Sequence, residues 1–475
     1  LVRGIFPFFN KKKKTEELPS NQLPKIRTKS LPGPHSLKLT ESLKRYECPQ
    51  ITYVGDGFPV FFDRAQGANV WDLDGSRYLD LTSFFGVMGV GHSSKAVVEA
   101  VRKQAGKMIH GMGDVHPNEG KVALMQLLAE ITPGNLSQTI FSSTGAEAVE
   151  TALKTAVMHT KKIGVIAFTG AYHGLTYGTL HVTHRDDFRK PFLKQLGKHA
   201  YFAPFPDARL YGNKAVEVSL KAVESIVKKA RRSGPIGAVL IEPIQGRGGV
   251  QVPPPNFLKS LREFCDKHGI VLIADEVFTG FGRTGSLFAV EKSGVVPDLL
   301  CVGKGMAGGL PLSACIGSAK IMHSWGASTG DAIHTSTYLG HPLGCAAALA
   351  VIREIQTKKL VDRSQKMGEL FRRELHKLKF NHPVIGDVRG SGLMIGLEFV
   401  DPLAAPVKKT KKPSLPVPAT AKAGLFVREA LKHGVILLTA GPDHNVVSIT
   451  PPFVISEKEI LWSVKLFESI LKKIA

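Results

Sequence analysis

The sequence predicts an α/β fold organised around a mostly parallel sheet. Four short, continuously apolar runs carry the expectation: IGVIAF (163–168), AVLIE (238–242), IVLIA (270–274) and LLCVG (299–303). Their length and β-rich content suit strands buried on both faces. Helical patterns lie between them, the alternation that builds parallel sheets. The 475 residues, 43% hydrophobic and including 48 glycines, suffice for one large core or for two to three domains.

Taken in order, residues 1–45 are polar and basic, and a poorly ordered N-terminal extension is expected there. GANVWDLDGSRYLDLTS (67–83) alternates apolar positions around Asp74-Gly75 and reads as a hairpin. It falls in residues 46–95, assigned to the N-terminal part of a small domain. Residues 94–110 read as a helix with Val97, Ala100, Val101 and Gln104 on one face. A large domain follows over 96–345, in which QTIFSSTGAEAVETALKTAVMHT reads as strand, small-residue turn and helix. Residues 344–357 and 361–378 have the pattern of amphipathic helices. Residues 346–475 are expected to form a smaller α+β C-terminal domain, interrupted by a Pro/Lys-rich surface loop over 401–422.

The formal net charge of +22 invites a nucleic-acid reading, and its distribution argues against one. Residues 1–45 contribute +8 (eleven Lys/Arg, three acids) and residues 401–422 contribute +4 (five lysines, one acid). No RNA- or DNA-reading motif stands beside them, so solvated charge is expected and no specific nucleic acid. The five cysteines, Cys48, Cys265, Cys301, Cys315 and Cys345, are scattered with no C-x-x-C pair. That suits reduced thiols in a cytoplasmic protein, and no metal site is expected. No run reaches the roughly 18 apolar residues of a membrane span.

Gly280-Phe281-Gly282-Arg283-Thr284-Gly285 fits G-x-G-x-x-G after a strand. A dinucleotide site needs those glycines to open a helix, with an acid about 20 residues later. Here the sequence after them is a poor helix start, and Asp275 and Glu276 come before them. CVGKGMAGG is no P-loop, since Lys304 is followed by glycine and not by Ser or Thr. What remains is Asp275 at the end of one buried strand and Lys304, between two glycines, after another. Burial disfavours a lysine's charge, and a neutral amine can form a Schiff base. A carboxylate at a strand end can keep a pyridinium nitrogen protonated. Together these meet the needs of pyridoxal phosphate, whose ring is an electron sink. Ser143-Thr144-Gly145-Ala146 at a helix start offers backbone N–H groups to a phosphate, and Tyr172 in GAYHG offers a ring face.

These residues belong to a longer set: WDLDGSRYLDL, SSTGAEAVETALK, AYHG, IEPIQGRGG, LIADEVFTGFGRTG, CVGKGMAGGLPLSA and TSTYLGHPLGCAAALA. In this order, over roughly residues 50–470, the chain resembles the class III (subgroup II) aminotransferases, 4-aminobutyrate, acetylornithine and ornithine aminotransferase-like. The resemblance implies a fold type I pyridoxal-phosphate-dependent transferase. It implies that Lys304 forms the Schiff base with the cofactor and that Asp275 pairs with the pyridine nitrogen. Val277 would pack under the ring and Tyr172 would stack on it. Thr144, Gly145 and Ala146 would hold the phosphate. Thr337 would reach the phosphate from a neighbouring subunit, implying a homodimer with shared sites. Glu242 would stand near the ring, with a structural strand-end role as its alternative. His173, next to the stacking position, is as well read as a structural histidine as a catalytic one. Arg283 reads as a loop or interface anchor. The implied reaction is ping-pong transfer of a distal (ω) amino group from an amine or amino acid to a 2-oxo acid; an aminomutase, racemase or decarboxylase on the same fold is the alternative.

The chain departs from the family in a pair of positions. Many members carry Glu after Gln-Gly and an Arg in the C-terminal domain that pairs with it; here these are Arg247 and Ser448. Arg247 is therefore a candidate for binding the substrate carboxylate, with an internal ion pair as the alternative. Phe278 stands where many relatives have Gln, and His341 where Asn is frequent.

Overall fold

The computed structural model describes residues 21–232, 234–330, 332–404 and 415–474. Its largest sheet has seven strands: β1 (Leu136–Ser142), β2 (Gly164–Phe168), β3 (Ala200–Ala203), β4 (Ile236–Ile241), β5 (Val271–Asp275), β6 (Leu299–Val302) and β7 (Ser313–Ser318). They lie in the order β1-β7-β6-β5-β4-β2-β3. Strand β7 runs antiparallel to both neighbours, and every other pairing is parallel. The four apolar runs are β2, β4, β5 and β6, with ends shifted by at most two residues.

Alternate residues along these strands face opposite layers. Ala238, Leu240, Val271 and Ile273 pack with Ala148, Val149, Ala152 and Ala156 of the helix Gly145–Thr160, whose small side chains let it lie close to the sheet. Val239, Ile241 and Leu272 pack with Phe257, Leu258, Leu261 and Cys265 of the helix Phe257–His268. Because β1, β2, β4, β5 and β6 all point one way, the segments that follow them meet at one edge, where open α/β sheets bind ligands.

The predicted hairpin forms, with Asn69 opposite Leu79 and Trp71 opposite Arg77. Its sheet also takes in Phe62–Gln66 and, from the far end of the chain, Val435–Ile436, which runs parallel to Arg77–Asp80. A second small sheet, all antiparallel, has the order Ile385–Ser391, Met394–Phe399, Val446–Ile449, Leu438–Ala440. The helices expected near 94–110, 344–357 and 361–378 are Lys95–Ala105, Pro342–Thr357 and Leu360–Asn381.

Two expectations are corrected. Residues 1–20 of the expected extension lie outside the described residues, but Pro34–Tyr46 is a helix rather than poorly ordered chain. The preceding segment is tied down as well: Lys25 bridges Arg77 through the backbone, and Asn69 donates to the Gln22 carbonyl. The segment thus pairs the Arg77 end of a hairpin strand whose Leu79–Asp80 end is paired by Val435–Ile436. Of the 401–422 loop, 405–414 lie outside the described residues, but Thr420 already begins a helix that runs to Lys432. The helix buries Ala423, Phe426, Val427 and Ala430, an apolar face that the lysine-rich composition concealed.

The G-x-G-x-x-G stretch opens no helix; the next element is the short 3-10 turn Ala289–Ser293. Arg283 within it is 1% exposed and donates to the carbonyls of Leu393 (3.0 Å) and Pro451 (2.6 Å) and to Ser83 Oγ (3.2 Å). It is an anchor inside the chain, holding the Ser83–Gly86 turn, whose residues all have φ between 45° and 79°.

Candidate active site

A cavity of about 680 Å³ opens at the carboxyl edge of the large sheet. Its lining includes Thr144, Gly145, Ala146, Tyr172, His173, Glu242, Arg247, Asp275, Val277 and Lys304. Each follows a strand: Thr144 after β1, Tyr172 after β2, Glu242 after β4, Asp275 at the end of β5 and Lys304 after β6.

Thr144 caps the helix Gly145–Thr160 through a capping box, its hydroxyl accepting from Glu147 N–H while the Glu147 carboxylate accepts from Thr144 N–H. The N–H groups of Gly145 and Ala146 stand in the first turn, where a helix has no acceptor for them. Such first-turn N–H groups are able to hold an anion. Gly145 is required by close approach, since a Cβ there would lie 2.7 Å from Val277 Cγ1.

Asp275 is 5% exposed. Its Oδ2 is 2.7 Å from His173 Nδ1, and its Oδ1 accepts from Val277 N–H. The His173 ring is fully buried, and its Nε2 has no partner among the described residues. His173 therefore braces the carboxylate from behind. Glu242, 6% exposed, accepts from Tyr172 N–H (3.0 Å) and Gly246 N–H (2.9 Å), so it ties the Tyr172 loop to the Arg247 loop. Burial, foremost, and the neighbouring Asp275 raise its pKa. Lys304 has a backbone φ of 36°, an uncommon conformation for a residue with a Cβ. Burial pushes its pKa below the usual lysine value; Asp275 and Glu242 oppose that shift and Arg247 adds to it.

The Lys304 Nζ lies 4.4 Å from the centre of the Phe278 ring. That ring fills a slot between two glycines distant in sequence. A Cβ on Gly86 would lie 2.2 Å from Phe278 Cε2, and one on Gly246 would lie 2.4 Å from Phe278 Cδ1. The position where relatives carry Gln is thus an apolar wall beside the lysine amine. Gly246→Ala is expected to cost about 1–3 kcal/mol through overpacking. In a Phe278→Ala background most of that cost should vanish; a penalty of the same size in both backgrounds, read by denaturant unfolding, would refute the slot.

Ser448 lies on Val446–Ile449 opposite Gly396 and does not line the cavity. Thr337 is exposed and does not line the cavity of its own chain. Other lining residues were not singled out from the sequence: Val87 and Leu175 lie outside the quoted motifs, and Leu310, Pro311 and Leu312 sit inside CVGKGMAGGLPLSA without a role of their own. They come from irregular segments with no periodic pattern.

Residues 52–471 match the family model for class III aminotransferases. The chain is a class III aminotransferase. It is 38% identical over 431 residues to the 5-aminovalerate aminotransferase DavT of Pseudomonas aeruginosa, covering 89% of this chain and 96% of the relative. It is 37% identical over 412 residues to the 4-aminobutyrate aminotransferase GabT of Escherichia coli, covering 86% and 92%. Among solved structures, a PLP-bound amine transaminase from an uncultivated Pseudomonas species superposes with a TM-score of 0.81 at 29% identity, covering 91% of this chain and 99% of the other. The aminotransferase is a pyridoxal-phosphate-dependent enzyme, and its relatives lend no support to the aminomutase, racemase or decarboxylase alternatives. The site fits the cofactor on its own chemistry. A lysine with a lowered pKa, a braced buried carboxylate and a free helix N-terminus face one cavity, matching the aldehyde, pyridine nitrogen and phosphate in turn.

Proposed function

We propose that this aminotransferase moves a distal amino group from an amine-bearing donor to a 2-oxo acid in two half-reactions, with Lys304 and Asp275 as its catalytic residues. The observation that carries the reading is the convergence of Lys304, Asp275 and the Thr144–Ala146 cradle on one cavity. The bound cofactor supplies an electron sink for the charge left when the substrate carbon loses its proton. Lys304 would hold the cofactor through its amine, and its Nζ, when free and neutral, would take and return the proton at the reacting carbon. Asp275 keeps the pyridine nitrogen charged, and His173 keeps Asp275 aimed. Tyr172 and Val277 would pack against the ring, and the first-turn N–H groups of Gly145 and Ala146 would hold the phosphate.

The relatives named for 4-aminobutyrate and 5-aminovalerate support a distal amine. The working unit is a homodimer in which Thr337 reaches the partner's phosphate. Exposed apolar residues near it in sequence (Ile333 and Tyr338) and in the 108–115 segment (Ile109, Met112) support this. Five free cysteines support a reducing, cytoplasmic location. Among the described residues no helix is long and apolar enough to cross a membrane.

The test is a donor panel of 4-aminobutyrate, 5-aminovalerate, ornithine, acetylornithine, diamines, β-alanine and aromatic amines, followed by absorbance. A donor should convert the enzyme stably to its aminated cofactor form with release of a carbonyl compound, and 2-oxoglutarate or pyruvate should reverse this. Carbon dioxide release, or racemised donor without a carbonyl product, would refute the reading.

A further inference from the structure

Arg247 lies at the cavity on an unusual mounting. Its guanidinium carbon is 4.8 Å from the centre of the Tyr172 ring and 5.4 Å from that of Phe188. Those two rings meet edge to face, with centroids 5.8 Å apart, and form a shelf that holds the planar group by cation–π attraction. The Arg247 carbonyl accepts from Arg185 Nη1 (3.0 Å) and Gly441 N–H (3.0 Å), so the backbone beneath the side chain is tethered from two sides. Behind it, Arg389 donates to the carbonyls of Gly249 and Val250 and is itself held by Asp387 and Glu398. The loop is pinned while the guanidinium stays exposed, with no ion pair or hydrogen bond among the described residues.

The two carboxylates of the cavity have hydrogen-bond partners, and its other cation lies deeper. Asp275 serves His173 and Val277 N–H and Glu242 serves Tyr172 and Gly246 N–H, while Lys304, against the Phe278 ring, is the amine that the proposed reaction commits to the cofactor. The remaining wall is largely apolar, with Val87, Leu175, Phe278 and Leu310. A lone fork of N–H donors above an apolar cavity is complementary to a carboxylate on a hydrocarbon body.

We propose that Arg247 is the specificity residue of this site and selects amine donors that carry a carboxylate on an otherwise apolar chain. The proposal rests on reading the cavity as the site of amino transfer. One cation then serves both half-reactions when the acceptor is dicarboxylic, since the distal carboxylate of 2-oxoglutarate is spaced from its carbonyl carbon as the carboxylate of 4-aminobutyrate is from its amine-bearing carbon.

The test uses the full-length holoenzyme, with each carboxylate donor paired to the amine that lacks the carboxyl group, such as 5-aminovalerate and butylamine. Loss of a charge-assisted bidentate pair should lower the carboxylate-over-neutral ratio of kcat/KM roughly 30-fold in Arg247→Ala. Arg247→Lys, which keeps the charge and loses the fork, should fall between. Binding of glutarate, which carries carboxylates and no amine, should be measurable by calorimetry for the wild type and lost in Arg247→Ala. A ratio within about threefold of wild type, or glutarate binding that survives the substitution, overturns the assignment. If the wild type converts no donor, the amino-transfer reading fails, and glutarate binding still decides whether Arg247 takes a carboxylate.

Discussion

Replacing Lys304 with alanine is expected to lower amino transfer by about 10⁴-fold or more, the largest effect of any single substitution in this chain. The estimate combines loss of the proton carrier, worth about 10²–10⁴-fold alone, with loss of the covalent hold on the cofactor. Borohydride reduction of the wild-type holoenzyme should fix the cofactor on a peptide containing Lys304, and the variant should yield no such peptide. An adduct at another lysine would remove the assignment. The pKa direction gives a second reading that needs no turnover. Burial lowers the Lys304 pKa, so the free amine is present at lower pH than for an exposed lysine. In the cofactor-free protein, acylation of Lys304 should therefore reach its plateau at lower pH than acylation of surface lysines, and added pyridoxal phosphate should protect it. Acylation that tracks the surface lysines would show that burial does not govern this amine.

Asp275→Asn should lower kcat by roughly 10²–10³-fold, the range for removing one aimed electrostatic stabiliser. The side chains are nearly isosteric: the amide oxygen can still accept from Val277 N–H, and the amide NH2 can donate to His173 Nδ1 in the tautomer protonated on Nε2. The fold should therefore persist, with the melting temperature close to wild type and the loss confined to the chemical step. Single-turnover measurement on a donor from the panel reads that step directly. An Asp275→Asn enzyme with wild-type single-turnover rates would exclude the carboxylate as the partner of the pyridine nitrogen.

Much of the candidate site was legible because its residues occur in local patterns. Thr144, Gly145 and Ala146 stand where a strand signal gives way to a capped helix, and Asp275 closes an apolar run; the structure places all four on the cavity. Arg283 lay inside the most familiar motif of the chain, yet its partners, Leu393, Pro451 and Ser83, come from three other segments. The helix Pro34–Tyr46 was hidden by basic composition, since a segment secured by a neighbouring hairpin edge needs no strong apolar pattern of its own. Phe278 was visible as a departure from the family, but its physical account was not, because its slot is built from Gly86 and Gly246.

The parallel strands and the strand-turn-helix at Thr144 could be read from the chain alone, since strand runs, turns and helix starts depend on residues within a few positions of one another, and the family could be read from the order of its motifs. Folding was needed to show that Arg247 rests on Tyr172 and Phe188, that Glu242 joins the Tyr172 and Arg247 loops and that Phe278 walls the lysine. Apart from the local Gly246 to Glu242 bond, those contacts join segments separated by tens of residues, and their geometry follows from how the whole core packs, which no local pattern encodes.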